Sequence, residues 1–510
     1  MSREKELQIK VNPWYVAGIL ILLGIGMFLW ATRPLWHGLF FFLYINPMPW
    51  GILAVAVAIT VWLVIALERW DYGYRGERFP WISLVVAIVA WLAFFSSFYV
   101  ADAITHAYMA EEMKPEITTE LPETERVRFV PLEVAETLAR NKQEDSRLQV
   151  GDMDPIDFNE NFLWVAPRVP NGFVNSFVYQ MDGFMVIDND TNLTVIHQPF
   201  KYGEEMFLHH NILWQFMVRG YWAKYPEIFY LPVEPDGGWL GVAPYIKYHF
   251  RFPVQVPYWA GAMVFHANGT IEDLTVEEGR GDPRFAGQRL FPEELTDYQA
   301  ASWAYKEGIF NAWFFHRDQI EVPELAHSEN QMPYLLPGNI WMVATEPVGP
   351  SQSVKKIFFF DAHDGTIQLF EFDPEHAKIG PNVGWGYAKA GTQAGYIWAE
   401  EGEEGGTGTY LVIEPRPLIN DGVLFWMYTV TVQQKTKTGI ALTILVENED
   451  NVLHFCSKAS LDRWMAGVGG SDPIPCGATV SCPQLKDLSE MSEDELLGLM
   501  RQIVEELSRR

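Results

Sequence analysis

Residues 13–32 read PWYVAGILILLGIGMFLWAT, twenty positions without a charged side chain. A helix of that length crosses a hydrocarbon layer roughly 30 Å thick. Asn12-Pro13 supplies a cap and a first-turn proline. Lys5 and Lys10 before the stretch would also suit a signal peptide. However, Ala31-Thr32-Arg33-Pro34 is a poor cleavage site and two further spans follow, so the segment is read as an uncleaved anchor.

Working outward, a second uncharged stretch runs from Leu39 to Leu67. It is too long for one straight span, and Pro47 and Pro49 divide it. A crossing is expected at about 50–68, with 37–48 as a turn or half-embedded segment. A third span is expected over 80–101. Trp14, Trp30, Trp36, Trp50, Trp70 and Trp81 fall near the ends of these spans, where indole favours the headgroup region. No span carries a charge in its middle third, so the three are read as anchors rather than as an ion pathway.

Charge sets the orientation. The 510-residue chain has 65 acidic and 37 basic residues, a net charge of −28. Residues 1–103 hold six acidic and seven basic groups, so essentially all of the negative charge belongs to residues 104–510. Arg3, Lys5 and Lys10 precede the first span, and Arg69, Arg75 and Arg78 lie between the second and third. The positive-inside rule then places the N-terminus and the 69–79 loop in the cytoplasm and 104–510 outside, in the periplasm or at the cell surface. So acidic a surface repels phosphate backbones, which excludes nucleic acid as a partner.

Residues 104–126 are acidic and punctuated by proline, and read as a stalk. Short β-rich runs dominate from Val127 onward, with helices expected at 131–143, 292–314 and 491–508. The division expected is a β-rich domain over 127–339, a second β-rich subdomain over 340–490, and a C-terminal amphipathic helix over 491–510. The fold class is therefore membrane-anchored α+β with a mainly antiparallel extracytoplasmic region.

One pattern recurs. Met185–Asp188 leads through Asn189–Asn192 into Leu193–Ile196. Met263–His266 leads through Asn268-Gly269 into Thr270-Ile271. Phe358–Asp361 leads through Asp364-Gly365 into Thr366-Ile367. Ile444–Glu447 leads through Asp450-Asn451 into Val452-Leu453. Each is an apolar run, a polar turn and a return strand, and Asn-Gly and Asp-Gly suit a type I′ turn. The pattern resembles the hairpin of PepSY-type extracytoplasmic domains over about a dozen residues per copy. Generic antiparallel hairpins share the same turn chemistry. The resemblance implies units of sheet plus helix, with 340–465 as one of them.

Candidate chemistry is sparse. Asp188, Asp190 and Asn192 imitate the first ligands of a calcium loop, but Leu193 stands where the loop needs glycine. Asp152, Asp154 and Asp157 form a second acidic cluster. Glu205 and His209 are spaced to share a helical face and are the other metal candidates, though HExxH is absent. Beyond calcium, no cofactor is expected. There is no GxSxG elbow and no SxxK. Cys476 and Cys482 are spaced to close the loop CGATVSC as a disulfide in an oxidising compartment, leaving Cys456 as a buried thiol.

Leu496, Met500, Ile503 and Leu507 form an apolar stripe behind a Ser492–Glu495 capping box. With Trp239 and Trp259 they are the candidate partner-binding residues. The partners expected are the lipid bilayer and other protein subunits or copies of this chain. The function expected is a membrane-anchored structural or interaction protein, a subunit or scaffold of a larger envelope or surface assembly. The alternative is an anchored extracytoplasmic hydrolase acting on polysaccharide or peptide.

Overall fold

A computed structural model describes residues 13–73, 81–233, 238–325, 328–373, 377–391, 398, 410–432 and 439–467. The uncharged stretches form helices α1 (Pro13–Ala31), α2 (His37–Ile45), α3 (Pro47–Gly73) and α4 (Trp81–Glu112). Pro47–Glu68 and Trp81–Glu112 are long and apolar enough to cross a membrane. The pair Leu20–Ala31 and Arg33–Ile45, bent by 79°, is a third candidate. The bend falls at a 3₁₀ turn, Arg33–Trp36, with Pro34 in its first turn. Proline there removes a backbone donor that α1 would need to continue. Most of the segment expected at 37–48 thus forms α2, set steeply across α1. Leu22, Met27, Val61, Trp62, Val89 and Phe95 are exposed on the outer faces of these helices. The indole Nε1 of Trp91 donates to Thr60 Oγ1 at 3.0 Å between α3 and α4.

Residues 104–126 do not form a stalk. α4 runs on to Glu112, and Ala101 and Met109 are buried in the core of the β-rich region. Glu116–Thr118 then pairs in parallel with the strand Ile367–Glu371, and Leu121 is buried. The acidic residues face water while Met109, Met113 and Leu121 peg the segment down; composition hid this, because a few apolar pegs suffice.

Among the described residues, the β-rich region after α4 contains four sheets of four to six strands and one two-stranded ladder, Ser353–Val354 with Lys378–Ile379. The first sheet spans Leu148–His197, the second Phe229–Leu274, and the fourth Tyr410–Phe455. The third joins Glu116–Thr118 to strands between Ile320 and Glu371. Apart from that parallel edge, the strands described pair antiparallel within their sheets.

The four recurring hairpins close one sheet each. Their turns share a backbone bond: Asp188 N to Asn192 O, His266 N to Thr270 O, Asp361 N to Thr366 O and Glu447 N to Asn451 O, at 2.9–3.1 Å. A side-chain oxygen organises each turn. Asp188 Oδ1 accepts from the N–H groups of Asp190 and Asn192, and Asp361 Oδ1 from those of His363 and Asp364. Asn448 Oδ1 accepts from Asp450 and Asn451, and Asn268 Oδ1 from Thr270. The turn type differs from expectation. Gly269 (φ 91°) and Gly365 (φ 72°) are left-handed, but Asn268 and Asp364 are not. One left-handed residue after a right-handed turn is the longer hairpin loop, not type I′.

No boundary falls at 339/340. Tyr334–Leu336 pairs with Ile340–Pro347 across it. One core cluster also joins Val127–Ile187 to Leu418–Leu461 around the helix Leu132–Lys142 (α5), which realises the helix expected at 131–143. The helix expected over 292–314 is broken into Glu293–Ser302, a 3₁₀ turn Trp303–Tyr305 and a π turn Asn311–Phe315. Gly308, at φ 91°, interrupts it.

Candidate functional site

Arg128, Arg416 and Arg289 are buried where the sheets meet. Arg128 pairs with Glu414, and its guanidinium lies 5.2–5.7 Å from the rings of Trp164, Tyr334 and Phe162. These residues come from the first, third and fourth sheets. Glu414 is fully buried, at φ 44°, beside a register shift between Ile413 and Arg416. The bulge turns the carboxylate inward. There it also accepts from Asn330 Nδ2 and from Leu132 N at the start of α5. Arg416 donates to the carbonyls of Arg128 and Phe129. Glu133, alongside, is pushed up to about 7 by burial and by the Glu414 charge.

Arg289 plays the same part elsewhere. It is 1% exposed, 2.9 Å from Asp154, 3.7 Å from Glu227 and 3.9 Å from Glu293. Its guanidinium also stacks over Phe229 and Trp341. Burial pushes Glu293 up to about 8 and Glu227 to about 6, with the Arg289 charge opposing both shifts.

An open cleft of about 660 Å³ lies where the first and fourth sheets meet residues 123–127. Glu125, Asp157, Glu160, Asp190 and Asp421 line it, facing Arg126 and Lys458. Arg126 forks onto both oxygens of Asp157 at 3.0 Å, and Gly338 N donates to the same carboxylate. Lys458 lies 3.0 Å from Asp462 and 3.6 Å from Asp190. The carboxyls pushed toward neutrality, Glu133, Glu204, Glu227, Glu293 and Glu346, line neither this cleft nor the smaller cavities. Glu346 is buried and the other four are half-buried.

The sequence-derived candidates scatter. Both oxygens of Asp188 are used by its own turn, which binds the backbone and the amide of Asn192. Asp190 turns to Lys458. No group of three or more His, Cys, Asp or Glu is placed to hold a metal among the described residues. Glu205 and His209 do not share a helical face: Glu205 is left-handed (φ 54°) and His209 sits in the 3₁₀ turn Leu208–His210. Asn211 starts the helix later, its side chain accepting from Leu213 N and Trp214 N.

Trp239 is buried, stacked 5.1 Å from Phe184. Trp259 is half-buried against Phe291, with its Nε1 donating to Gly261 O. Neither presents an open indole face. Cys456 is disulfide-bonded rather than a free thiol. Cys476 and Cys482, the pair expected to bridge, lie outside the described residues. So do Leu496, Met500, Ile503 and Leu507.

The exposed aromatics are others: Phe173 and Phe177 on Gly172–Val178, and Phe310, Phe314 and Phe315 around the π turn. A Phe pair four apart in a seven-residue helix that buries nothing was the available sign of the first patch.

Glu204 carries a testable consequence. Burial pushes it up to about 8, although Tyr230 Oη donates to its carboxylate at 2.6 Å. A folded-state pKa raised above the unfolded one stabilises fully below about 4.5. That contribution is lost as pH rises through about 8, at roughly 1.4 kcal/mol per unit. Glu204→Gln keeps the acceptor and removes the titration. Melting from pH 5 to 8.5 should show the variant gaining steadily on the wild type; parallel curves would refute the assignment.

No known protein family matches this chain, and no curated protein is similar to it.

Proposed function

We propose that the chain is a membrane-anchored extracytoplasmic structural protein, a subunit or scaffold of an envelope or surface assembly, with its N-terminus in the cytoplasm. The carrying observation is how rigidly the ectodomain is joined to the apolar helices. α4 passes without a break from its apolar stretch into the ectodomain core. α2 and the turn before it are pinned along their length. Arg33 donates to Val218 O, the His37 ring meets Tyr221 O at 2.9 Å, and Tyr44 Oη donates to Tyr248 O at 3.0 Å. On this reading α2 lies in the outer interface with Leu39, Phe40 and Phe42 toward lipid. The ectodomain then sits on the bilayer at fixed height and orientation, as a scaffold requires.

The acidic 660 Å³ cleft favours a second reading, an anchored hydrolase of polysaccharide or peptide. Two carboxylates of suitable separation would serve such chemistry. Against it, Asp157 is occupied by Arg126 and Asp188 by its turn.

Cysteine labelling tests the topology. An impermeant maleimide should label Glu120→Cys in intact cells and Arg75→Cys only after the membrane is opened. The reverse pattern would overturn the orientation. Mass determination in mild detergent tests the assembly; a monomer under all conditions would sink the subunit role.

A further inference from the structure

A second cavity, of about 250 Å³, lies where the apolar helices meet the ectodomain. One wall is the corner between α2 and α3 (Ile45, Met48) and α4 (Phe98, Ala101, Asp102). The other is built from the second sheet and the helix Glu293–Ser302, with Lys224, Gln255 and Glu294 contributing polar groups. At about 30 Å³ per molecule, its volume corresponds to roughly eight waters, too much for one bridging water and enough for a small headgroup.

We propose that this cavity binds the headgroup of an aminophospholipid from the outer leaflet. The proposal rests on the membrane reading above, since its lower wall is the level at which α3 begins and α4 leaves its apolar stretch.

The decisive group is Gln255. It is 9% exposed, it lines the cavity, and its Oε1 has no hydrogen-bond partner. A buried acceptor without a donor costs free energy, so an occupant that donates is selected. A primary ammonium brings three N–H donors; a trimethylated one brings none. The carboxylates of Asp102 and Glu294 favour a cation at the same place. Lys224, paired with Glu294, offers its positive charge to the phosphate. The wall thus carries both signs, matching a zwitterion with a free ammonium end. Ile45, Met48 and Phe98 form the apolar rim against which the glycerol and the first chain carbons would lie.

The test uses the full chain in phosphatidylcholine nanodiscs doped with a photoreactive phosphatidylethanolamine or, in parallel, a photoreactive phosphatidylcholine. The ethanolamine probe should label peptides 45–48, 98–105 and 246–257 about tenfold more than the choline probe, the discrimination expected of one charge-assisted hydrogen bond. Gln255→Leu should reduce that labelling to the choline level, and Gln255→Glu should keep or raise it. Because Gln255→Leu could disturb the strand, a ligand series supplies an independent arm. Mono- and dimethylated ethanolamine probes should label progressively less of the unaltered protein. Equal labelling across the series, or labelling indifferent to Gln255→Leu in a variant with unchanged melting, would overturn the proposal. Release of the chain from native membranes by alkaline carbonate would overturn the membrane reading itself, and the lipid source with it.

Discussion

Glu414→Ala is expected to destabilise the β-rich region by about 3–5 kcal/mol, the range for breaking one side of a buried ion pair. The side chain is fully buried and meets Arg128, Asn330 Nδ2 and the N–H of Leu132. Its removal leaves two guanidinium groups, those of Arg128 and Arg416, without the carboxylate that compensates them. It also frees the backbone donor at the start of α5. Glu133 is nearby, but it is held near neutrality by the same burial, and the Glu414 charge contributes to that. In the variant its pKa should fall below 7, so the deficit relative to the wild type should shrink as pH rises toward 7 and level off above it. The full chain in detergent, unfolded by heat and by urea, reads the loss. Glu414→Gln keeps one acceptor oxygen, for Arg128 and Asn330 or for Leu132 N but not for both, lacks the charge, and should fall between the two. A loss below about 1 kcal/mol would show that Glu414 does not hold this junction.

The second large effect is expected at Arg289→Met. Methionine fills much of the volume over Phe229 and Trp341 but removes the cation facing Asp154, Glu227 and Glu293. A loss of about 3–5 kcal/mol is expected at pH 8. The sign with pH is specific. Burial already holds Glu293 up near 8 and Glu227 near 6 while Arg289 pulls both down. Without the arginine their pKa values rise further, the carboxyls take up protons in the folded state, and the variant recovers as pH falls toward 5. Melting of wild type and variant at pH 5 and pH 8 decides it. A difference that is the same at both pH values would mean that packing, and not charge, is what Arg289 provides.

These two junctions show which parts of the molecule local reading reaches. α1, α3 and α4 were legible because a run of some twenty uncharged residues is a local property with one economical solution in lipid. The hairpins at 185–196, 263–271, 358–367 and 444–453 were legible for a similar reason. Asp or Asn beside the turn bonds to backbone N–H groups two to four residues away, which needs no distant partner. The turn type was misjudged because Asn268 and Asp364 tolerate both hands, and strand twist and loop length choose between them. The stalk and the 339/340 boundary failed on composition. An acidic, proline-marked stretch reads as linker until Met109, Met113 and Leu121 find a core to enter.

The sequence by itself determined the apolar spans, the slightly basic anchor and strongly acidic remainder, the four hairpins and α5, all features whose partners lie within a few residues. Tertiary structure alone decided the rest. It brought Arg128 to Glu414, 286 residues away, Arg289 to Asp154, and Gln255 to a cavity between the apolar helices and the second sheet. It buried Trp239 and left Phe173 and Phe314 in the open. Burial and long-range ion pairing depend on which sheets face each other, and no spacing along the chain records that choice.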